Sequence, residues 1–245
     1  MKICALEVPA GFGDPGGRLA DIRSALAQGE PADLIVVPEC ALTGYVSPDL
    51  RFDLRPFAEP LEGPTLSAYR ALAREHKAHF VGPLVEQCPG AFFNSFVVVD
   101  PRGELLGHYR KRHPWFPETW ATKGTLPYPD LRIAGLRLTL AVCYDVHFLA
   151  SEARDTCAAA DVLLFPSSWV DDGATDLRTG IFRNLVRRFG LTVVNANWGE
   201  GEPRLNGQGR SRIVGPGGAV EAPRLAGQVS RVSAEVLPKP AARSS

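Results

Sequence analysis

The sequence has no excess charge and no long apolar run, and each shortage excludes a class of protein. Its 27 basic and 27 acidic residues balance, so a general attraction to nucleic acid or to an anionic membrane surface is not expected. No apolar stretch approaches the ~20 residues that cross a bilayer. The first apolar stretch, Ile3 to Val8, is too short for a signal peptide and contains Glu7. We therefore expect a cytoplasmic protein that binds neither nucleic acid nor membrane.

Cysteine is scarce and unpaired. The 5 cysteines are an odd number, and no Cys-x-x-Cys motif is present. Reduced thiols in a cytoplasm fit this pattern better than a secreted disulfide scaffold. The sequence also lacks internal repeats and interior linkers. Its 245 residues therefore predict one domain over residues 1–237 and a disordered tail, rich in Pro, Ala, Arg and Ser, over residues 238–245.

Short apolar runs alternate with amphipathic segments along the whole chain. Runs bounded by Pro, Gly or charge predict buried strands, and apolar residues at helical spacing predict helices. Pro followed two residues later by Gly predicts a hairpin at residues 100–103. Mixed βα units and hairpins indicate α/β layers around mixed sheets. We predict helices over residues 19–28, 64–79, 152–160 and 177–189, and strands over 3–8, 34–37, 80–85, 96–99, 103–109, 131–133, 136–142, 162–165, 191–195, 210–214 and 219–221.

Three apolar runs each end in one reactive side chain. Glu39 follows Pro38 at the end of one run, and Cys143 ends another. Lys111 is the last residue of Tyr109-Arg110-Lys111, which follows the run from Phe96 to Asp100. In open α/β sheets the chemistry lies where strands end. A carboxylate, an ammonium and a thiol delivered in this way are a base, a cationic stabiliser and a nucleophile. Glu39 also lies between two apolar stretches, which predicts a partly desolvated acid suited to general-base work.

Other features of the sequence have functional interpretations that we consider weaker. Residues 11–16 fit the dinucleotide pattern Gly-x-Gly-x-x-Gly, but Pro15 removes one amide that would bind phosphate, which favours a plain loop. His76 and His79 would share a helix face, but no third metal ligand is evident, so no metal site is predicted. The basic run 108–113 is a short phosphate patch, a solvated loop, or a segment with one cation pointing inward.

The thiol of Cys143 has alternatives of its own. It could be an inert core residue, since apolar residues alternate before it, although the pattern stops at the thiol. His147 could pair with it as in Cys–His hydrolases, which we hold as the minor interpretation. Cys40, beside Glu39, is a competing nucleophile that would point to the opposite face if the strand continued.

Taken together, these segments resemble the nitrilase superfamily, the carbon–nitrogen hydrolases. Members carry three motifs in order, and the resemblance runs from about Met1 to about Val236. Lesser markers are Ser167-Ser168-Trp169 after a strand and a late Gly-x-Ser hairpin at residues 209–218. The three motifs are present here as Pro38-Glu39 with Thr43-Gly44-Tyr45, Tyr109-Arg110-Lys111, and Cys143-Tyr144-Asp145.

The resemblance implies a four-layer α-β-β-α sandwich with two mixed sheets, and a homodimer or higher homo-oligomer. It implies that Glu39 is the general base, Lys111 the stabiliser of the tetrahedral intermediate and Cys143 the nucleophile. Glu118 fits the family's second glutamate, which positions or relays protons near the lysine. No metal or organic cofactor is implied.

The Cys-Tyr-Asp motif is more usual in amidases than in nitrile hydrolases of the family. We therefore expect hydrolysis of a small carboxamide or N-carbamoyl compound through a cysteine thioester, with a nitrile substrate or a non-catalytic scaffold as alternatives. Tyr45, Tyr144 and Trp169 are candidate substrate-binding residues. Departures from the family pattern are Glu7 in place of Gln, Ala150 with Glu152 two residues late, and Arg188 in place of an acid.

Overall fold

The computed structural model describes residues 1–173, 175–225 and 227–239. Within these ranges the chain forms twelve β-strands and five α-helices. The helices are α1 (Pro15–Gln28), α2 (Pro64–His76), α3 (Leu149–Glu152), α4 (Arg154–Ala159) and α5 (Leu177–Phe189). The strands are β1 (Lys2–Pro9), β2 (Leu34–Val36), β3 (His79–Cys88), β4 (Ala91–Val99), β5 (Leu105–Arg110), β6 (Leu131–Ile133), β7 (Leu136–Leu140), β8 (Val162–Ser167), β9 (Thr192–Gly199), β10 (Arg212–Gly215), β11 (Gly218–Glu221) and β12 (Ser230–Glu235).

The strands pair in the order β5-β4-β3-β2-β1-β9-β8-β7-β6, with β12 on β1 and the β10–β11 hairpin on β9. The first half of this path runs from β5 to β1 and the second half from β9 to β6, and each half contains both parallel and antiparallel pairs. The pairs β1–β2 and β2–β3 are parallel and β3–β4 and β4–β5 antiparallel, while β7–β8 and β8–β9 are parallel and β6–β7 antiparallel. Among the described strand pairs, the two halves are joined where Val8 pairs with Trp198 and Pro9 with Gly199. The expectation of a mixed α/β fold is therefore confirmed.

Alternation along the strands divides the core of the first half between its two faces. Ile3 and Ala5 of β1 belong to the same apolar cluster as the strands of the second half. Cys4 and Leu6 point the other way and pack with α1 and α2. Because successive side chains of a strand point to opposite faces, one face of this half of the sheet packs against the strands of the second half and the other face packs against α1 and α2.

Helix α1 begins four residues earlier than predicted, because Asp14 caps it. The Asp14 side chain accepts a hydrogen bond from Gly17 N at 2.9 Å, and Pro15 occupies the first helical position. The Gly-rich segment is thus the loop before a helix, as favoured. The Asp14 carboxylate also accepts the hydrogen bond of the Gly17 amide, an amide that a dinucleotide phosphate would need as a donor.

Helix α2 ends earlier than predicted. Lys77 adopts the left-handed conformation with φ +51° and ends the helix at His76. His79 then opens β3. The expectation that His76 and His79 lie on one helix was wrong, because the chain reverses between them.

Strands β3, β4 and β9 are longer than predicted, and two other elements differ in kind. Residues 152–160 form parts of two short helices, since the backbone at Ala153 leaves the helical region (φ −130°, ψ 25°). Strand β12 was missed because Val232 is its one large apolar residue, yet it pairs antiparallel with β1 from Lys2 to Glu7. Pairing with a buried strand, rather than its own composition, makes it a strand.

The predicted tail over residues 238–245 lies mostly outside the described residues. At its start, the Lys239 amide donates a hydrogen bond to Asp161 Oδ1 at 2.9 Å. Along the described ranges, none of the helices has the length and apolar character needed to cross a membrane.

Candidate active site

The three reactive side chains predicted from sequence leave the sheet at strand ends. Glu39 follows β2, Lys111 follows β5, and Cys143 opens a 3₁₀ turn (Cys143–His147) after β7. The first two come from one half of the strand path and the third from the other half. The fold therefore brings together groups that lie far apart in sequence.

Lys111 sits between two carboxylates. Its Nζ lies 2.8 Å from Glu39 Oε1 and 2.5 Å from Glu118 Oε1. All three side chains are buried, with at most 1% of each side chain exposed. Tyr45 donates its hydroxyl to Glu118 Oε1 at 2.8 Å. We call Glu39, Lys111, Glu118 and Cys143 the central cluster.

Two residues that sequence analysis did not assign to the site bind Glu39 directly. Asn94 Nδ2 donates to Glu39 Oε1 at 2.8 Å and to Glu118 Oε2 at 3.2 Å. The Ser168 amide donates to Glu39 Oε2 at 2.8 Å, and its Oγ donates to the Glu39 carbonyl at 2.8 Å. The one signal for Asn94 is that it interrupts an apolar run; Ser168 stood within a recognised motif, but its partner could not be read from sequence.

Burial and charge set the protonation states within the cluster. Burial opposes the charge on Lys111, but Glu118 and Glu39 outweigh it and hold the pKa of the ammonium well above its usual value. Burial raises the pKa of Glu118, although Lys111 partly offsets this. Burial and then the Glu39 charge raise the pKa of the Cys143 thiol well above its ordinary value, so the sulfur is protonated at rest. A nearby base is needed to activate such a thiol.

Asp145 fixes the turn that carries the thiol. Its carboxylate accepts hydrogen bonds from Tyr109 Oη at 2.8 Å, from the His113 amide at 2.8 Å and from the Val142 amide at 3.1 Å. The same side chain therefore joins the end of β5, the segment after Lys111 and the start of the cysteine turn.

The basic run 108–113 is resolved in favour of the inward interpretation. Lys111 enters the central cluster, while its neighbours pair with acids rather than forming a free phosphate patch. His108 and Arg110 contact the buried Glu86, and Arg112 and His113 contact Glu152. Glu152 thus holds the segment next to Lys111.

The three candidate substrate-binding residues have different surroundings. Tyr45 is buried and packs edge-on against Phe52 and Trp198. Trp169 is buried, and its indole Nε1 is among the buried polar atoms that have no hydrogen-bond partner within the described residues. Tyr144 is 36% exposed and contacts the rings of His147 and Phe148.

The competing residues lie in other contacts. His147 packs its ring against Tyr144 and Trp169, and among the described hydrogen bonds none joins it to Cys143. Cys40 is buried with φ +51°, so the strand does not continue through it as the opposite-face argument assumed. All five cysteines are free thiols. In the described ranges, no three His, Cys, Asp or Glu side chains are grouped to hold a metal ion.

The departures from the family pattern also have places in the structure. Glu7 is buried and accepts a hydrogen bond from the Ser211 amide at 2.7 Å, while burial raises its pKa. Arg188 is exposed on α5 and stacks on Phe189, so it does not enter the central cluster. Ala150 is an exposed residue of α3.

A mixed α/β fold that brings a buried Glu, Lys and Cys together at its strand ends is the arrangement expected of a hydrolase. Residues 17–227 match the family model described as carbon-nitrogen hydrolase. The chain therefore belongs to the carbon–nitrogen hydrolase family, the nitrilase superfamily.

Relatives and solved structures agree with this assignment. An (R)-stereoselective amidase from a Pseudomonas species is 29% identical over 221 residues, covering 90% of this chain and 79% of that protein. A formamidase from Allorhizobium ampelinum is 27% identical over 228 residues, and the match spans 90% of this chain and 65% of the formamidase. A mutant amidase from Nesterenkonia sp. AN1, with acrylamide added at its active-site cysteine, superposes with a TM-score of 0.80 at 27% identity, covering 97% and 93% of the two chains.

Proposed function

We propose that this chain hydrolyses the C–N bond of a small carboxamide or N-carbamoyl compound through a thioester on Cys143. The observation that carries the proposal is the placement of Lys111 between Glu39 and Glu118, with the Cys143 thiol electrostatically coupled to all three. The amidase and formamidase relatives support an amide substrate.

In the first half-reaction, Glu39 takes the thiol proton as the sulfur attacks the carbonyl carbon. A C–S bond forms and the carbonyl oxygen becomes an oxyanion. Lys111 supplies a fixed cation to that oxygen, and the Tyr144 amide supplies a second donor. Loss of one such donor typically raises the barrier by about 3–4 kcal/mol. The C–N bond then breaks, and Glu39 returns its proton to the leaving nitrogen, which departs as ammonia or an amine.

In the second half-reaction, Glu39 takes a proton from water as the water oxygen attacks the thioester. The C–S bond breaks, the acid product leaves, and the thiol recovers its proton. Two moderate barriers thus replace one high barrier. Glu118 holds the ammonium of Lys111 from its other side, which keeps the cation directed at the reacting oxygen.

The decisive test is Cys143→Ala. Turnover, measured as ammonia release, is expected to fall by at least about 10³-fold because the substitution removes the sulfur that would carry the acyl group. Brief incubation of the wild-type protein with substrate should give an acyl adduct by mass spectrometry that Cys143→Ala lacks. Cys88→Ala, outside the cluster, is the control and should keep full activity. Full turnover by Cys143→Ala would refute the proposed nucleophile.

Two measurements separate the alternatives. Ammonia release from simple amides, ω-amides, N-carbamoyl amino acids and nitriles defines the substrate class, and a preference for nitriles would overturn the amide assignment. Alkylation by iodoacetamide tests the scaffold alternative. A Cys143 that reacts at a rate dependent on Glu39 supports catalysis, whereas an inert Cys143 together with no turnover supports a binding protein.

We further propose that the two halves of the strand path stack face to face as an α-β-β-α sandwich, since one apolar cluster includes strands of both halves. The family resemblance also leads us to propose a homodimer in a reducing cytoplasm, in keeping with five free thiols. Sedimentation equilibrium would measure the oligomeric state, and a monomer at micromolar concentration would contradict the dimer.

A further inference from the structure

One side-chain amide joins both carboxylates of the central cluster. Asn94 lies within β4 with 2% of its surface exposed. An amide nitrogen carries two hydrogens, so Asn94 Nδ2 can donate one to Glu39 Oε1 and one to Glu118 Oε2, which lie at 2.8 and 3.2 Å. We infer that Asn94 is a positioning residue, which fixes the two carboxylates around Lys111 and keeps Glu39 aligned to accept the thiol proton. This inference rests on the proposed function.

The hydrogen bonds to the four carboxylate oxygens show what Asn94 adds. Glu39 Oε1 accepts from Lys111 and Asn94, and its Oε2 accepts from the Ser168 amide. Glu118 Oε1 accepts from Lys111 and Tyr45. Among the described hydrogen bonds, Glu118 Oε2 accepts from Asn94 alone. Without Asn94, one buried carboxylate oxygen would lose its donor, and each acid could turn about its remaining bonds.

The charge balance gives Asn94 a second effect. Two carboxyl groups face one ammonium, and the other ionisable groups that interact with them among the described residues are the thiols of Cys143 and Cys40, the hydroxyl of Tyr45 and the Asp145 carboxyl beyond Lys111. The two acids therefore share one cation inside the protein. A neutral donor bonded to both acids favours their ionised forms without adding charge. Because burial already raises the pKa of Glu118, we expect loss of the Asn94 donor to move the acidic limb of the pH–rate profile.

The first variant removes both hydrogen bonds. Asn94→Ala should lower kcat for the amide that the wild-type protein turns over fastest by about 10- to 100-fold, with KM within about twofold, because the lost bonds act on the base rather than on bound substrate. The acidic limb of kcat/KM should move to higher pH by about one unit, since the acids lose a donor to their charged forms.

The second variant keeps the shape of the side chain. Asn94→Asp places a third carboxylate in the cluster at neutral pH and removes the donor. Its kcat relative to wild type should be lowest at neutral pH and rise as the pH falls, because the new carboxyl regains an O–H donor when protonated. A purely structural role would leave this ratio constant with pH. If Asn94→Ala does not fold, as judged by circular dichroism, this variant decides the question.

Ser95→Ala is the matched control. Ser95 follows Asn94 on β4, is also buried, and donates its hydroxyl to another buried carboxylate, Glu86 Oε2, at 2.6 Å. It should lose stability without any movement of the acidic limb. Folded Asn94 variants with wild-type kcat and an unmoved limb would overturn the inference, even though Cys143→Ala was inactive. Turnover that survived Cys143→Ala would instead refute the proposed function.

Discussion

At the scale of single residues, the site is marked by backbone strain. Cys143 has φ +46° and Cys40, next to Glu39, has φ +51°, and both lie in the left-handed region that non-glycine residues rarely occupy. Such conformations cost of the order of 1–3 kcal/mol each and persist where surrounding contacts enforce them. The chain turns at the thiol instead of continuing as a strand, which takes Cys143 out of the alternation that would make it an inert core residue.

Trp169 gives a prediction at the same scale. Its buried indole N–H has no partner among the described residues, and we predict that it donates a hydrogen bond to a substrate oxygen. Trp169→Phe should raise KM for the preferred amide about fivefold, which is the effect of one neutral hydrogen bond, with kcat within about twofold. Steady-state kinetics measures both. An unchanged KM together with a higher melting temperature would mean that the N–H meets only protein.

At the scale of elements, the site depends on loops that are tied to one another. The 3₁₀ turn Cys143–His147 follows β7, and Asp145 within it accepts hydrogen bonds from Tyr109 on β5 and from the His113 amide. The third position of the Cys-Tyr-Asp motif therefore connects the turn that carries Cys143 to the segment that carries Lys111. We therefore expect this carboxylate to help fix the distance between the Cys143 turn and Lys111.

We predict that Asp145→Asn loosens this connection. The NH₂ group of the new side chain would face one of the three groups that now donate to Asp145. Two donors cannot bond to each other, so a buried group would be left without a partner at a cost of about 1–3 kcal/mol. Urea unfolding should show this loss of stability, and kcat should fall with it because the turn moves relative to Lys111. Unchanged stability would mean that the turn holds its conformation without the carboxylate.

At the scale of the whole molecule, the central cluster requires both halves of the strand path. Glu39, Lys111 and Glu118 follow strands of the first half, while Cys143 and the Ser168 amide come from the second. A large apolar cluster formed by strands of both halves holds them in register. Any change that separates the halves would separate the Cys143 thiol from Glu39, its proposed base.

Acid stability is a property of the whole fold to which Glu86 contributes. Burial raises its pKa, but hydrogen bonds from His108, Arg110 and Ser95 outweigh burial and lower it below the ordinary 4.5. The unfolded chain therefore binds this proton at higher pH than the folded chain. The stabilisation is present above about pH 4.5 and is lost as the pH falls through the lowered folded-state value.

Glu86→Gln should therefore lower the free energy of unfolding at pH 7 by about 1–3 kcal/mol. Urea unfolding measured at several pH values should show that the difference in free energy of unfolding from wild type becomes smaller between pH 5 and pH 3. Glu62→Gln, which breaks the exposed pair with Arg70, is the control and should change stability by less than about 1 kcal/mol. A difference that stays constant from pH 7 to pH 3 would contradict a role for the charge.

Much of the fold could be predicted from local patterns. The helix over residues 177–189 and the β6–β7 hairpin follow from apolar periodicity and from Ala134-Gly135, because these signals act over a few residues. Strand β12 could not be predicted in this way, because its pairing with β1 joins residues more than two hundred positions apart. The early end of α2 depended on a left-handed Lys77, for which the sequence offers no glycine signal.

In the candidate site, too, local features could be predicted from the sequence and long-range contacts could not. The sequence alone determined that a Glu, a Lys and a Cys end strands and resemble one family, because each motif is short and local. Only the tertiary structure decided that Lys111 lies between Glu39 and Glu118, and that Asn94 and Ser168 bind the base. These contacts span up to 129 residues of sequence, and their distances and burial depend on how the two halves pack.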